Sequence, residues 1–305
     1  MQNSIDLNDG NKIPVIGLGT WKAKPNEVGD AVRFALTEAE YKHIDCALIY
    51  GNEQEIGQIF NDVIGNNIKR EELFVTGKLW NTYHHPEDVE KGCRKTLTDL
   101  KLDYLDMYLM HWGIAFERGD NLRPFGSDGV RTENVSVQQT WEAMEALIAK
   151  GLVKSIGVCN FSTPMLVDLL TYAKIKPVMN QIELHPYNTQ EGLVAYCQKN
   201  NIGITAYSPL GRPGTIVDAQ RIIDEEIVQK LAQKYHKTPA QILLHWAVSR
   251  GTIVIPKSVN PERIKENKDF FDFKMTEEDI AVIGSLNKNH RFINPVKEWK
   301  IPYFS

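Results

Sequence analysis

The sequence predicts an α/β protein in which eight parallel strands close into a (β/α)8 TIM barrel. The first observation is that short apolar segments alternate with segments carrying helix signals along the 305 residues. This alternation is typical of parallel sheets, because each return to a parallel strand needs a crossover long enough for a helix. The second observation concerns Gly17–Lys22, which lacks the third glycine of GxGxxG and therefore disfavours the alternative, an open doubly wound sheet.

The elements follow in order along the chain. A short N-terminal hairpin is expected first, since Ser4–Leu7 and Lys12–Ile16 flank the turn Asn8-Asp9-Gly10. The eight barrel strands are predicted at Val15–Gly19, His43–Cys46, Leu73–Lys78, Leu105–His111, Ser155–Cys159, Val178–Ile182, Ile202–Tyr207 and Thr252–Pro256. Three helices are predicted to begin where a capping residue precedes a proline, at Thr163-Pro164, Thr238-Pro239 and Asn260-Pro261. Extra helices are expected near the C-terminus, and residues 1–305 are expected to form one domain.

Composition excludes several classes of protein. A chain with 42% apolar residues and a formal net charge of −4 is not predominantly disordered, and its mild acidity disfavours nucleic acid as the main partner. Its longest apolar runs, such as Val153–Val158, are far shorter than the roughly 20 residues of a membrane span. The N-terminal segment Met1–Asp6 is polar and carries no secretory signal, which favours a cytoplasmic location. Neither a disulfide framework nor a metal site is predicted from the four dispersed cysteines, Cys46, Cys93, Cys159 and Cys197.

Polar side chains stand where the predicted strands end. Strand 2 ends at Asp45, with Tyr50 five residues later, strand 3 ends at Lys78, and strand 4 ends at His111. In a barrel, the C-terminal ends of the strands meet at one mouth, where the chemistry takes place. Each residue alone is more often structural, as a helix cap, a packed phenol or a hydrogen-bonded core histidine. Together, an acid, a phenol, an amine and an imidazole at one face predict an active site.

This set of groups suits the protonation of an oxygen while hydride reaches the attached carbon. A free phenol has a pKa of about 10 and is a poor acid or base at neutral pH. We expect the nearby Lys78 ammonium to stabilise the phenolate of Tyr50 and so to lower its pKa. Asp45 would hold Lys78 through an ion pair, and His111 would donate a hydrogen bond to a carbonyl oxygen. Side chains cannot supply hydride, so a cofactor is implied.

A phosphate site is predicted after strand 8. Lys257, Ser258 and Arg263 surround the helix start Asn260-Pro261, where free backbone amides favour an anion. Two cations at this place favour a 2′-phosphate, and hence NADPH, with NADH possible but weaker. The pair Glu266-Asn267, one turn further on, could meet the edge of the adenine.

The chain resembles the aldo-keto reductases along nearly its whole length. The segments that carry the resemblance are Gly17–Trp21, Tyr41–Ala47, Tyr50–Glu53, Leu109–Trp112, Ser155–Phe161, Ala206–Gly211 and Ile255–Ser258. Within the family, Ile114–Arg118 and the ending Arg291–Pro302 look most like aldose (xylose) reductases. Gln138–Glu142 and Gly151–Gly157 also resemble the hexose-6-phosphate reductases of plants.

The resemblance implies a catalytic tetrad of Asp45, Tyr50, Lys78 and His111. It implies NADPH extended across the mouth, held by Gly19, Thr20, Trp21, Cys159, Asn160, Gln181, Tyr207, Ser208, Leu210, Lys257, Ser258, Val259, Asn260, Arg263, Glu266 and Asn267. Of these, Asn160 and Gln181 would hold the carboxamide, and Tyr207 would stack on the nicotinamide. The carbonyl substrate would lie among Trp21, Tyr50, Trp80, His111 and Trp112. The expected activity is NADPH-dependent reduction of aldehydes, including aldoses and aldose phosphates, to alcohols by a monomer or homodimer; the alternative is a non-catalytic NADPH-binding regulatory or redox-sensing protein.

Two residues depart from the family pattern. Cys159 stands where Ser is usual, and Gly113 stands where Pro is common after the histidine and tryptophan. Substrate choice is expected to depend on three loops, Gly113–Val135, Gly211–Asp224 and the tail after Asn287. The first loop carries three arginines that we expect to face water, although an inward one would favour a phosphorylated sugar: Arg118, Arg123 and Arg131.

Overall fold

The structure is a computed structural model that describes residues 3–211 and 221–304. Its strands are β1 (Ser4–Asp6), β2 (Lys12–Pro14), β3 (Leu18–Gly19), β4 (His43–Asp45), β5 (Phe74–Leu79), β6 (Leu105–Met110), β7 (Phe125–Gly126), β8 (Gly129–Val130), β9 (Val153–Cys159), β10 (Met179–Glu183), β11 (Gly203–Tyr207) and β12 (Ile253–Val254). Its helices are α1 (Val28–Thr37), α2 (Glu53–Val63), α3 (Pro86–Leu100), α4 (Val137–Ala149), α5 (Thr163–Tyr172), α6 (Glu191–Lys199), α7 (Glu226–Tyr235), α8 (Pro239–Ser249), α9 (Pro261–Lys268), α10 (Glu277–Gly284) and α11 (Val296–Trp299).

Strands β3, β4, β5, β6, β9, β10, β11 and β12 form one parallel sheet in that order. The sheet closes on itself, because the backbone N–H of Gly17 donates to the carbonyl of Val254 at 2.9 Å and that of Gly19 donates to Pro256 at 3.1 Å. The strands meet so closely here that a Cβ on Gly19 would lie 2.7 Å from the carbonyl oxygen of Ile255. The predicted (β/α)8 barrel is therefore confirmed. Strands β3 and β12 are shorter than predicted, because where they meet only single residue pairs, such as Ile16 with Val254, are bridged outside the regular strands.

The N-terminal hairpin covers one end of the barrel. Strands β1 and β2 pair antiparallel, and Gly10 in the turn has a φ of +87°, which favours glycine. Leu7 and Ile13 are buried in the same apolar cluster as Phe74 and Met179, which begin strands β5 and β10. The hairpin thus shields the N-terminal ends of the strands, and the opposite ends stay open.

Two of the three predicted helix starts are confirmed. Thr238 forms a reciprocal capping box with Gln241 at the start of α8, and Asn260 caps α9 by accepting the N–H of Arg263. Helix α5 differs by one residue, since Ser162 is its N-cap and Thr163 is already helical. The expected C-terminal helices are α10 and α11.

The long connections carry structure that periodicity did not predict. The loop Gly113–Val135 contains the small hairpin β7–β8, in which Phe125 pairs with Val130. Most of the predicted loop Gly211–Asp224 lies outside the described residues. Across residues 3–211 and 221–304, no helix is long and apolar enough to span a bilayer. Over the same ranges, no group of three or more His, Cys, Asp or Glu residues is placed to hold a metal ion.

Candidate active site

A cavity of about 1060 Å³ opens at the C-terminal ends of the barrel strands. Every residue predicted to contact cofactor or substrate lines this cavity, as do Asp45, Tyr50 and His111 of the predicted tetrad. Lys78 alone among the predicted site residues does not line it, because its side chain is 0% exposed and lies beneath Tyr50 and Asp45. The structure thus brings the predicted residues together at one mouth.

The Lys78 ammonium is held by three oxygens. It lies 2.5 Å from Oδ1 of Asp45 and donates to the carbonyl of Cys46 at 2.9 Å and to Oη of Tyr50 at 3.2 Å. The other oxygen of Asp45 accepts a hydrogen bond from Nε2 of Gln181 at 2.7 Å. Both members of the ion pair are therefore buried and fully hydrogen-bonded, the condition under which a buried charge pair is tolerated.

The electrostatics correct one sequence-based expectation. Burial is the largest single influence on the pKa of Lys78 and lowers it, but the charge of Asp45, its hydrogen bond and the other acidic neighbours together leave the pKa raised, so the ammonium stays charged. Burial raises the pKa of Tyr50, and the charge of Lys78 offsets this only in part, so the pKa lies above that of a free phenol. Lys78 thus lowers the Tyr50 pKa as expected, but the larger effect of burial, which the sequence did not predict, leaves it raised. Tyr50 carries its proton at neutral pH and can act as an acid.

His111 is a neutral imidazole. Burial, together with the charge of Lys78, lowers its pKa well below the usual range. Its ring lies 5.9 Å from that of Tyr50 and 5.4 Å from that of Trp80, measured between centroids. A neutral imidazole keeps one N–H donor and one acceptor, so His111 can orient a carbonyl oxygen without adding a charge.

Beside the tetrad, the end of β9 is fixed by polar contacts. Asn160 adopts a positive φ of 63°, donates from Nδ2 to the carbonyl of His111 at 3.0 Å and accepts from Oη of Tyr207 at 2.7 Å. Cys159, the departure from the family pattern, is not left without polar contact, because its Sγ lies 3.2 Å from Nδ2 of Asn160. Asn160 and Gln181 consequently present fixed amide groups between the tetrad and Tyr207.

The far end of the cavity lies at the start of α9. Ser258 accepts the N–H of Asn260 at 3.2 Å, and Asn260 in turn caps the N–H of Arg263 at 2.8 Å. Among residues 3–211 and 221–304, neither Lys257 nor Arg263 has an acidic partner within ion-pair distance. Two unpaired cations beside a helix start provide the environment that an anion requires. Glu266, on the same helix, is oriented by a hydrogen bond from the hydroxyl of Thr238 at 2.8 Å.

Aromatic side chains form the other wall. Trp80 and Trp112 are each 6% exposed and also line the cavity. Both alternatives that the sequence suggested, core packing and pocket lining, therefore apply to them. Trp80 donates from Nε1 to the carbonyl of Leu122 at 2.6 Å, and Trp112 packs edge-on against Trp299 at 4.8 Å. Trp21 lies 6.5 Å from Tyr50, between ring centroids.

The tail after Asn287 was expected to affect substrate choice, but the sequence did not predict which of its residues line the cavity. Six residues of the tail face the cavity: Phe292, Ile293, Asn294, Pro295, Glu298 and Trp299. Arg123 faces water, as expected of all three loop arginines, but it also lines the rim of the cavity, 3.8 Å from a carboxylate oxygen of Glu298. Arg118 and Arg131 instead pair with Asp88 and Glu117. No local pattern signals these contacts, because the tail reaches the mouth through tertiary folding alone.

Comparisons with known proteins agree with this geometry. The model of the Aldo/keto reductase family matches residues 15–288. Aldo-keto reductase family 1 member A1 of Gallus gallus is 53% identical over 298 residues, which cover 96% of this chain and 91% of that protein. The protein of the same name from Homo sapiens is 50% identical over 296 residues, which cover 95% of this chain and 91% of that protein.

Solved structures show the same relationship. The aldose reductase from Schistosoma japonicum superimposes with a TM-score of 0.93 at 40% identity, covering 99% of this chain and 98% of that chain. The aldose reductase from Giardia lamblia gives a TM-score of 0.89 at 42% identity, covering 95% of this chain and 98% of that chain. The family model, the sequence relatives and the solved structures all lead to the same conclusion. The chain belongs to the aldo/keto reductase family, as an oxidoreductase that reduces aldehydes to alcohols with a nicotinamide nucleotide.

Proposed function

We propose that this chain reduces aldehydes with NADPH as hydride donor and with Tyr50 as proton donor. The observation that carries the proposal is one cavity with the Tyr50 hydroxyl at one end and, at the other, Lys257 and Arg263, which have no acidic partner among the described residues. A cofactor extended between these ends would bring its reactive ring beside the phenol and its phosphates to the start of α9.

The residues present fit such a cofactor. Asn160 and Gln181 offer amide groups to a carboxamide, and Tyr207 offers a ring face beside them. Ser208 and Leu210 follow where the pyrophosphate would pass, and Val259 with Asn267 would border the adenosine. Gly19, Thr20 and Trp21 complete the floor of the mouth. The bound nicotinamide supplies the hydride, a species that no side chain can provide.

The chain's own residues move one proton and fix one carbonyl. We infer that His111 donates a hydrogen bond to the carbonyl oxygen and aims it at Tyr50. Tyr50 gives its proton to that oxygen as negative charge develops there, and the nearby Lys78 ammonium stabilises the resulting phenolate. Asp45 keeps Lys78 charged and in place. Trp21, Trp80 and Trp112 exclude water from the carbonyl carbon.

The preference for NADPH over NADH follows from the charge at the far end. A 2′-phosphate would accept charge-assisted hydrogen bonds from Lys257 and Arg263, and the hydroxyl of Ser258 would complete the site. NADH lacks this group and leaves both cations unused, so we expect it to bind more weakly.

Arg123 favours open-chain aldoses and their phosphates as substrates. Its guanidinium lies at the cavity rim beside Glu298, where the far end of an extended sugar would reach. Changing Arg123 to Gln should lower kcat/KM for glucose 6-phosphate about tenfold, the scale of one lost charge-assisted hydrogen bond, and should leave xylose nearly unchanged. An equal effect on both sugars would exclude phosphate recognition by Arg123.

We also propose that the protein resides in a reducing compartment. The four cysteines are free and buried, which supports a reducing, cytoplasmic location. That residues 1–305 form one domain stays a prediction. Whether the protein is a monomer or a homodimer also stays open, and sedimentation of the purified chain would measure it.

The decisive experiment is an absorbance assay of NADPH oxidation with glyceraldehyde, xylose and glucose 6-phosphate. Turnover is expected with the wild-type chain, whereas Tyr50→Phe should lose it and keep nearly the same NADPH affinity, because the hydroxyl acts on the carbonyl alone. NADPH binding without turnover of any carbonyl would favour the alternative, a non-catalytic regulatory or redox-sensing protein. A near-wild-type rate for Tyr50→Phe would remove Tyr50 from its role.

A further inference from the structure

A buried carboxylate holds the C-terminal tail at the edge of the cavity. Glu183, the last residue of β10, is 0% exposed. One of its oxygens accepts the backbone N–H of Phe292 at 2.6 Å, and the other accepts that of Ile293 at 2.9 Å. Nε2 of His185 lies 2.9 Å from the first oxygen. A charge this deeply buried is costly unless several donors surround it, so the tail amides and Glu183 depend on each other.

The place of Glu183 on its strand links the tail to the catalytic centre. Gln181 and Glu183 are two residues apart on β10, so their side chains leave the strand on the same face. Gln181 contacts Asp45 at 2.7 Å, and Glu183 contacts the tail. One rigid strand therefore sets the distance between the tetrad and the segment 292–299, which lines the cavity.

A second attachment fixes the other end of this segment. The ring of Trp299 packs edge-on against Trp112 at 4.8 Å and against Phe116 at 4.9 Å. The hydroxyl of Tyr303 accepts the backbone N–H of Gly113 at 2.8 Å, a donor that a proline at this position would lack. The departure at Gly113 thus supplies an attachment point, and the segment 292–299 is held at both ends.

We propose that Glu183 is a positioning residue that holds the tail segment 292–299 as a fixed wall of the substrate pocket and so determines which aldehydes fit. This inference rests on the proposed function, because the wall is defined by the carbonyl that Tyr50 protonates. Glu183 touches neither the reacting carbonyl nor Tyr50. Its loss should therefore change the selection among substrates and spare the reduction of an aldehyde too small to reach the wall.

The test compares Glu183→Gln with Glu142→Gln, the same chemical change on the surface of α4. In the first variant, the amide NH2 would face a backbone N–H of the tail, so one acceptor is lost and two donors meet. We expect KM for an aromatic aldehyde to rise about tenfold while kcat for glyceraldehyde and the Kd of NADPH change less than about twofold. Tyr303→Phe, which loosens the other attachment, should shift the same ratio in the same direction by a smaller factor.

A measurement on the wild-type holoenzyme keeps the proposal testable if Glu183→Gln fails to fold. Hydrogen exchange should show the amides of Phe292 and Ile293 strongly protected compared with that of the exposed Asn289. Fast exchange at Phe292 and Ile293, or equal KM changes for large and small aldehydes in Glu183→Gln, would overturn the proposal. Absence of all carbonyl turnover in the wild type would instead contradict the proposed function, and the exchange result would still decide the anchoring role of Glu183.

Discussion

The two ends of the cavity use cations in opposite ways. Lys78 is 0% exposed, and its three hydrogen bonds leave it no freedom; burial lowers its pKa, but Asp45 and the other acidic neighbours together leave the pKa raised. Lys257 is an exposed residue, and partial desolvation of its ammonium by the surrounding protein lowers its pKa. The first cation is saturated by the protein and serves to hold other groups in place. The second has no acidic partner among residues 3–211 and 221–304, which is why we propose that a ligand phosphate binds it. Permanent partners thus indicate a positioning role, and missing partners indicate a binding role.

The largest effect should come from breaking the saturated end. Lys78→Met removes the cation that stabilises the Tyr50 phenolate and leaves the Asp45 carboxylate buried without its partner. The reduction rate should fall by about 10²–10⁴-fold, and the free energy of unfolding by about 3–5 kcal/mol. Steady-state kinetics and urea denaturation measure the two losses. The double variant with Asp45→Asn should regain stability but not activity; recovery of both would contradict the role of Lys78.

At the open end, a pair of substitutions should affect binding without affecting the fold. Lys257→Ala combined with Arg263→Ala should raise the Kd of NADPH by about 100-fold or more, because two charge-assisted hydrogen bonds are lost. The Kd of NADH should change by less than about threefold. Fluorescence titration measures both constants. Added salt should weaken NADPH more than NADH in the wild type, since the exposed cations are screened; equal weakening would argue against a 2′-phosphate site.

Acid should destabilise the folded chain through two buried histidines that lie outside the cavity lining. Burial lowers the pKa of His43 and of His84 to about 3, against about 6.5 in the unfolded chain. The unfolded chain therefore binds protons first as pH falls, and stability that is complete above pH ~6.5 is lost progressively down to pH ~3. Each histidine should contribute about 1.4 kcal/mol per pH unit to this loss. Urea denaturation at several pH values should show a shallower slope for His84→Gln and an unchanged slope for the exposed control His236→Asn.

The smallest effect is expected where the chain departs from its family beside the saturated end. Cys159→Ser replaces a thiol that lies 3.2 Å from Nδ2 of Asn160 by a hydroxyl able to make the same contact. The reduction rate should change by less than about fivefold, because one hydrogen-bond acceptor replaces another. Steady-state kinetics with glyceraldehyde measure this. A large loss would show that the volume of the sulfur atom matters more than its polar contact.

The sequence pattern predicted where the residues around Lys78 lie more completely than it predicted their protonation. Strand periodicity placed Asp45, Lys78 and His111 at one mouth, because parallel strands of a barrel share an end. It did not predict the sign of the Tyr50 pKa shift. That sign depends on how much burial outweighs a nearby charge, and burial is a property of the packed molecule. The cap at Asn260 was predicted because capping depends on neighbours within one turn.

The tail shows where sequence reasoning stopped. Phe292, Ile293 and Trp299 carry no periodic pattern that would assign them to the cavity, and their partners Glu183 and Trp112 lie more than a hundred residues away. The sequence named Arg123 with two other arginines but did not predict which of them reaches the cavity rim, since a loop side chain follows the packing of its neighbours rather than a local repeat.

The sequence by itself determined the barrel and its N-terminal hairpin, and it predicted where the candidate tetrad and the candidate phosphate site lie, because these positions follow from hydrophobic alternation, turn chemistry or capping over a few neighbouring residues. Tertiary structure alone decided the closure at Gly19, the protonation of Tyr50 and the wall that Glu183 anchors. These depend on distances between residues far apart in the chain, and such distances are set when the whole core packs and water is excluded from it.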